Sequence, residues 1–593
     1  MSKVKWGPLL LTFSFFCSTA LAQTQENWIT KFEASNYSES PDYEESMGYF
    51  QRIADNSEYA QMKSMGKSPQ GRELYYVIVS KDKCFNYASA KKSGKPIVLV
   101  QNGIHAGEIS GKDASMLLLR EILITKKKAA LIDNVILLII PIFNVDGHER
   151  RSPFNRINQD GPKEMGWRVT SQNYNLNRDY VKADATEMKC FLNFFNEWLP
   201  DFCIDVHATD GADYQYVTNF TIEKHENVTP MHAEWVRQKF IPHLYKSVEG
   251  KGFLISPFVG FIDDDVKYGM RDWVPLPRFS NGYAAAQNRP GLLLEVHQMK
   301  PYRERVFSTL AVLESIIELV NENPSELIKL NNEADDYLID LYAVQKKPYP
   351  LTFKLTDEFE TFLYKGMDFN SVYSDLAGSE VKKYNGKKIE MVVPYYNKAI
   401  GATKITLPDY YLIPAEWSEI ISLLQNHGIK IETLESKKQF SVERTKFGEV
   451  SFSNWPYEGR FLPRFTSEKF VDTIVVNKGD YLINTNQRGL GIIAHILEPE
   501  SPDSYVRWGG MNIIFERKEY FEDYSMEPIA RQMYESNPKL KSEFDERVAN
   551  DEKFKNDPNA RLNFFYERSA YCDQLHNVYP VVRIVQELHA EVE

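Results

Sequence analysis

Gly103-Ile104-His105-Ala106-Gly107-Glu108 lies between an apolar strand, Pro96 to Val100, and an apolar helix, Ala114 to Ile124. Strand, tight turn and helix in that order are the unit from which α/β sheets are built. A His and a carboxylate three residues apart can reach one metal ion from such a turn. Zinc hydrolases use three protein ligands and keep a fourth position for water, so a third ligand is expected from a distant element. Phe202-Cys203-Ile204-Asp205-Val206-His207-Ala208 supplies a candidate, reading as a buried strand that ends in a His. The H-x-x-E spacing alone is a weak signal. Its place between a strand and a helix gives it weight.

Working outward, strands are expected over Leu74 to Ser80, Pro96 to Val100, Val135 to Ile142, Phe202 to Val206 and Gly291 to Val296. Most are continuous apolar runs, as in sheets covered on both faces. Helices are expected at Tyr43 to Asn56, Ala114 to Thr125, Ala185 to Glu197, His232 to Val248 and Arg303 to Asn321. The pattern predicts an α/β fold with a mixed, mostly parallel sheet and helices on both faces. In such sheets ligands gather at strand C-terminal ends, which is where His105, Glu108, His207 and Glu295 fall. Breakers at Asn323-Pro324 and Lys346 to Pro350 mark a domain boundary. The expected division is a leader at 1–22, a catalytic domain at 23–345, and an accessory region at 346–593, one module or two. The last is read as a strand-rich α+β module with helices at Pro414 to His427 and Gly489 to Leu497, and a charged helical stretch near 520 to 560.

The 593 residues exceed one ordinary domain. A net charge of −12 argues against nucleic acid or an anionic membrane as the main partner. The N-terminus resembles an export signal: Lys3 and Lys5, an apolar stretch from Trp6 to Cys17, and Ala20-Leu21-Ala22 before Gln23. That run is shorter than the ~20 residues a bilayer-spanning helix needs, so a periplasmic or extracellular protein with no membrane span after cleavage is expected. Cys84, Cys190, Cys203 and Cys572 show no C-x-x-C spacing and read as free, mostly buried thiols.

Taken together the motifs resemble the M14 zinc carboxypeptidases over roughly residues 40 to 320. His105 and Glu108 match the first two zinc ligands, and His207 the third. Phe143-Asn144-Val145-Asp146-Gly147 matches the strand-end segment that follows. Gly166-Trp167-Arg168 carries the arginine that polarises the scissile carbonyl. Asn177-Arg178 matches the pair that binds the substrate carboxylate. Glu295, in Leu292-Leu293-Leu294-Glu295-Val296-His297, matches the general base. The resemblance implies one zinc ion per chain and peptide or protein C-termini as substrate. The chemistry of the residues agrees. Two imidazoles and a carboxylate leave zinc net positive, so water bound to it can ionise near neutral pH. A free carboxylate such as Glu295 can take that proton and pass it to the leaving amine. A fixed guanidinium such as Arg168 suits an oxyanion, and the planar fork of Arg178 suits a carboxylate.

Two departures from the family pattern stand out. Family members carry an aspartate two positions before the Asn-Arg pair, orienting a ligand His; here it is Asn175, whose amide oxygen is expected to accept the Nδ1 proton of His105 without supplying a charge. The family's mobile capping tyrosine has no clear counterpart; Tyr268 is favoured over Tyr283. His297 reads as a wall or supporting residue, and Asp146, Asp205 and His148 as structural. The side-chain preference is not legible. The alternatives are a related zinc amide hydrolase acting on peptidoglycan stem peptides or modified side chains, and an inactive binding protein of the same fold. The intact ligand set with Glu295 weighs against the last.

Overall fold

The computed structural model describes residues 28–209 and 211–588; the leader read at 1–22 lies outside them. Nine strands are followed here in chain order: β1 (Ala60–Lys67), β2 (Glu73–Val79), β3 (Ile97–Asn102), β4 (Ile136–Ile140), β5 (Phe202–Thr209), β6 (Thr218–Ile222), β7 (Ile255–Pro257), β8 (Met270–Arg271) and β9 (Gly291–His297). All but β8 form one mixed sheet of order β1-β2-β4-β3-β5-β9-β6-β7. Its centre, β4-β3-β5-β9, is parallel. The pairs β1/β2, β2/β4 and β6/β9 are antiparallel.

The apolar runs explain the centre. Val98, Val100, Ile204, Val206, Leu292 and Leu294 join the core that includes the helices Ser110–Leu119 and Tyr302–Glu322. Burying each such side chain contributes about 1.5–3 kcal/mol. Leu99, Gln101, Cys203 and Asp205 turn to the other face, toward Phe191, Phe195 and Tyr283 of the helices Thr186–Trp198 and Ser280–Ala286. His207 and Glu295 continue that alternation at the strand ends. The strands β1 and β6 escaped the sequence reading because neither is an apolar run. β6 is Thr-Asn-Phe-Thr-Ile and buried throughout, with Ser256 accepting from Asn219 Nδ2 at 2.5 Å. The expected helix at His232 to Val248 runs from Pro230 to Gly250 with a π-turn at Val236–Phe240. Pro242 lacks an N–H and so breaks the regular ladder there.

The chain forms two compact units. The first holds the residues up to Leu407 with Glu419–Ile431 and Asn484–Ser504; the second holds Pro408–Ser418, Glu432–Ile483 and the chain from Tyr505 on. Within the first, a long antiparallel ribbon, Glu360–Ser374 with Ser379–Tyr396, pairs at its base with β8. Segments beyond residue 345 complete this unit's interior. His427 takes the hydroxyl of Tyr283 at 3.0 Å and meets the carbonyl of Val181 at 3.0 Å. Arg278 pairs with the fully buried Asp503 at 2.6 Å. Asp503→Ala is therefore expected to destabilise this unit by about 3–5 kcal/mol, the cost of leaving a shielded cation without its partner. Urea unfolding measures it, and a midpoint equal to wild type refutes it.

The second unit has a six-stranded sheet that ends on one side in the hairpin Lys438–Phe452 with Pro463–Val476. It also has a helical cluster, Asp523–Ser536, Pro538–Asn550 and Pro558–Tyr566, built on Phe544, Phe554, Phe564 and Phe565. Cys84, Cys190, Cys203 and Cys572 are free, and only Cys84 is fully buried. No helix among the described residues is long and apolar enough to cross a membrane.

Candidate metal centre and cleft

β3 ends at Asn102, and the chain reverses at Gly103 with φ +66°, a left-handed conformation that glycine adopts without strain. The Glu108 N–H then donates to the His105 carbonyl at 2.9 Å. This turn projects both side chains to one side. On the neighbouring strands, His207 of β5 lies directly opposite Glu295 of β9. Parallel pairing thus brings residues 88 positions apart in the chain onto one spot (295 − 207).

His105, Glu108 and His207 converge and are buried. His105 Nδ1 lies 3.2 Å from Glu108 Oε1, His207 Nδ1 3.2 Å from Glu108 Oε2, and the two Nδ1 atoms 3.2 Å apart. Each imidazole is held from behind through Nε2: His105 by Asn175 Oδ1 at 3.1 Å, His207 by Asp205 Oδ2 at 2.6 Å. The expectation for His105 is corrected here: it presents Nε2, not Nδ1, to Asn175. Asn175 Oδ1 also accepts the N–H of Asn177 at 3.2 Å, which fixes it as the acceptor. With both Nε2 atoms donating, both Nδ1 lone pairs point into the cluster beside a carboxylate. Three acceptors at such spacing repel unless a proton or cation sits among them, so the donor set fits zinc.

The protonation states follow. Burial disfavours charge on His207, but the Asp205 carboxylate, with hydrogen bonds to Asp205 and Glu108, outweighs it and raises its pKa well above the usual range. Burial lowers that of His105 to about 4. Burial would raise that of Glu108, yet His105 and Arg156 hold it well below the usual value. Burial, with the charges of Glu108 and Asp205, pushes the Glu295 carboxyl up. Glu295 is half-buried, and its Oε2 is shielded with no hydrogen-bond partner.

A cleft of about 500 Å³ opens over this centre. His105, Glu108, His207, Glu295, Arg168, Asn177 and Arg178 all line it. Arg168 Nη1 lies 3.2 Å from Glu108 Oε1. Arg178 stacks on Phe279, 4.4 Å from the ring centre. It does not pair with Asp179, whose carboxylate is taken by Lys182 at 2.5 Å. Asn177 Oδ1 accepts the Ser280 N–H at 3.1 Å, which leaves its NH₂ for a ligand. A larger cavity of about 830 Å³ in the same unit is lined by Lys224, Asp272, Glu358 and Lys398. Its two lysines are paired, Lys224 with Asp272 and Lys398 with Glu358, each at 2.5 Å, and the ligand set found among the described residues, His105, Glu108 and His207, lies elsewhere.

Tyr268 is not brought to the cleft. It is half-exposed at the end of a 3-10 turn, Val266–Tyr268, against Lys267. The aromatic walls are Phe258, Trp273 and Phe279. Tyr283 is buried against His427. His297 is not on the wall either; it meets Asp213 at 3.2 Å and packs on Tyr214. Asp146 is held by Ser68 and Arg72, and His148 by Lys112 and Glu149. At the centre, Arg156 was missed and Asp205 was read only as structural. Arg156 Nη2 lies 2.8 Å from Glu108 Oε1, and its sequence signal was a second Asn-Arg pair, Asn155-Arg156. Asp205 supports His207, and its signal was the i, i+2 spacing that puts both on one strand face.

Residues 47–259 match the family model for zinc carboxypeptidases, Peptidase M14. The chain is 22% identical over 502 residues to carboxypeptidase 2 of Trichophyton equinum, covering 80% of this chain and 85% of the relative. It is 22% identical over 492 residues to that of Trichophyton rubrum, with the same coverage. Among solved structures, a putative carboxypeptidase A from Shewanella denitrificans aligns with a TM-score of 0.37 at 17% identity, covering 47% of this chain and 69% of that one. The match over residues 47–259, together with the two relatives, makes this chain similar to the M14 zinc carboxypeptidases, a family of metallopeptidases.

Proposed function

We propose that this protein is an exported zinc carboxypeptidase that hydrolyses the last peptide bond of its substrates, with Glu295 as general base. One observation carries the reading. A carboxylate without a hydrogen-bond partner on one oxygen, Glu295, stands beside a His-Glu-His set, in a cleft that also holds an arginine, Arg178, paired with no acid among the described residues. The relatives' name, carboxypeptidase 2, supports the same choice. Export rests on the leader read at 1–22, and the region after 345 is assigned an accessory role.

His105, Glu108 and His207 would hold one zinc ion, which when bound acts as a Lewis acid and lowers the pKa of water. Arg178 and the Asn177 amide grip the terminal carboxylate, which selects the final peptide bond. Glu295 accepts the proton of the attacking water and delivers it to the leaving amine. Arg168 donates to the oxyanion that forms on the scissile carbonyl.

The test is elemental analysis of the purified protein beside a peptide-library digest read by mass spectrometry. One zinc per chain is expected, with release of single C-terminal residues from free acids and none from the matching C-terminal amides. Absence of metal from active protein, or equal cleavage of the amides, would overturn the reading.

A further inference from the structure

We propose that Arg156 is a specificity residue that selects substrates with an acidic side chain on the acyl side of the scissile bond. This rests on the carboxypeptidase reading and names its substrate class. The residue's position depends on a glycine: a Cβ on Gly107 would lie 3.0 Å from both Cγ and Cδ of Arg156 and 2.8 Å from the Gly166 carbonyl. The bare backbone lets the arginine stem pass and deliver its guanidinium beside Glu108, with only 9% of the side chain exposed. The loop is fastened there. Gln159 Nε2 donates to the Gly107 carbonyl at 3.0 Å, and Asn155 Nδ2 to the carbonyls of Arg150 and Met165 at 2.7 and 2.8 Å.

Charge counting gives the ligand class. Three guanidiniums line the cleft, those of Arg156, Arg168 and Arg178, against two carboxylates among the described residues, Glu108 and Glu295. The terminal carboxylate of a peptide occupies Arg178, and the oxyanion occupies Arg168. A cation held by Glu108 draws on the same carboxylate that now balances Arg156. The Arg156 guanidinium is then left short of counter-charge in a shielded place, where an unpaired charge is costly. Beyond Glu108 and Glu295, no carboxylate among the described residues lines the cleft to receive a basic side chain.

Position gives the site on the substrate. Arg178 belongs to the wall of Phe279 and Trp273, whose rings meet edge-on at 5.1 Å. The terminal residue goes there with its carboxylate. Arg156 comes with Asn155, Ile157 and Asn158 from a different segment of the lining, beside Glu108 rather than Phe279, and the acyl part of the peptide is assigned to that side.

The experiment uses zinc-loaded full-length protein and three libraries, acetyl-Ala-Xaa-Zaa, with Xaa fixed as Glu, Gln or Lys and Zaa varied. Glu is expected to be favoured over Gln by roughly 10- to 100-fold in kcat/KM, the worth of one charge-assisted hydrogen bond, with Lys slowest. In Arg156→Met the ratio of the Glu rate to the Gln rate should fall to about one, with zinc content measured beside it to separate loss of metal from loss of selectivity. Should that variant lose zinc, Arg156→Lys keeps a charge beside Glu108 without the fork, and its ratio should fall between the two. Equal rates for Glu and Gln in wild type, or a preference that survives both substitutions, overturns the assignment but leaves the carboxypeptidase standing. No release from any library overturns both.

Discussion

Glu295→Gln should lower kcat by about 100- to 10,000-fold, the usual worth of a positioned general acid–base group, while zinc content and KM change little. The substitution keeps the size and shape of the side chain on β9 and removes only the charge. Glu295 is not among the three groups that converge as ligands, so the metal should remain. The environment makes the carboxylate a strong base. Burial and the neighbouring carboxylates push its pKa up, while a bound cation pulls it back toward neutrality. The sign of the pH dependence follows. A base with a raised pKa works only when deprotonated, so kcat/KM should fall as pH drops through that pKa, and the residual activity of Glu295→Gln should lack this acidic limb. A variant that keeps more than half of wild-type activity would assign the proton transfer to another group.

The two substrate-side roles differ from the base in how they were legible. His105, Glu108, His207 and Glu295 could be read in the chain because each is a polar residue at the end of an apolar run, where burial without a task is costly. Arg178 needed the structure to rule out Asp179 as its partner, since adjacency suggested a pair that Lys182 in fact supplies. Tyr268 was favoured on the freedom of the adjacent Gly269. That freedom was real, with φ +108°, but the turn carries the ring away from the cleft. Arg156 was passed over because its Asn-Arg pair says nothing of where the side chain goes, and its proximity to Glu108 depends on a loop that closes over Gly107. The same limit applies to the first unit. That His427 and Asp503 complete its interior is a fact of chain return, and breakers near 323 and 346 give no hint of it.

Asp205→Asn is expected to weaken zinc binding by about 10- to 100-fold, the range typical for losing a partner that orients a metal-ligating His. The family pattern implied by the resemblance puts a carboxylate behind the first His; this chain has Asn175 there, 3.1 Å from His105 Nε2. It has instead a buried carboxylate behind the other His, Asp205, 2.6 Å from His207 Nε2 and held on its second oxygen by Gln101 at 2.9 Å. One negative charge still backs the ligand pair, moved from one imidazole to the other. Its removal lowers the basicity of His207, which Asp205 raises. Zinc must displace the proton that His207 holds, so wild-type affinity should increase with pH until that proton is gone. In Asp205→Asn the plateau should come at lower pH and lie lower, so the two proteins differ most in alkaline solution. Chelator competition across pH measures this without reference to activity. The double variant Asn175→Asp, Asp205→Asn returns the charge to His105 and should regain most of the lost affinity. Equal affinity for wild type and Asp205→Asn at high pH would refute the role of this charge, and failure of the double variant would mean that Asp205 acts through packing alone.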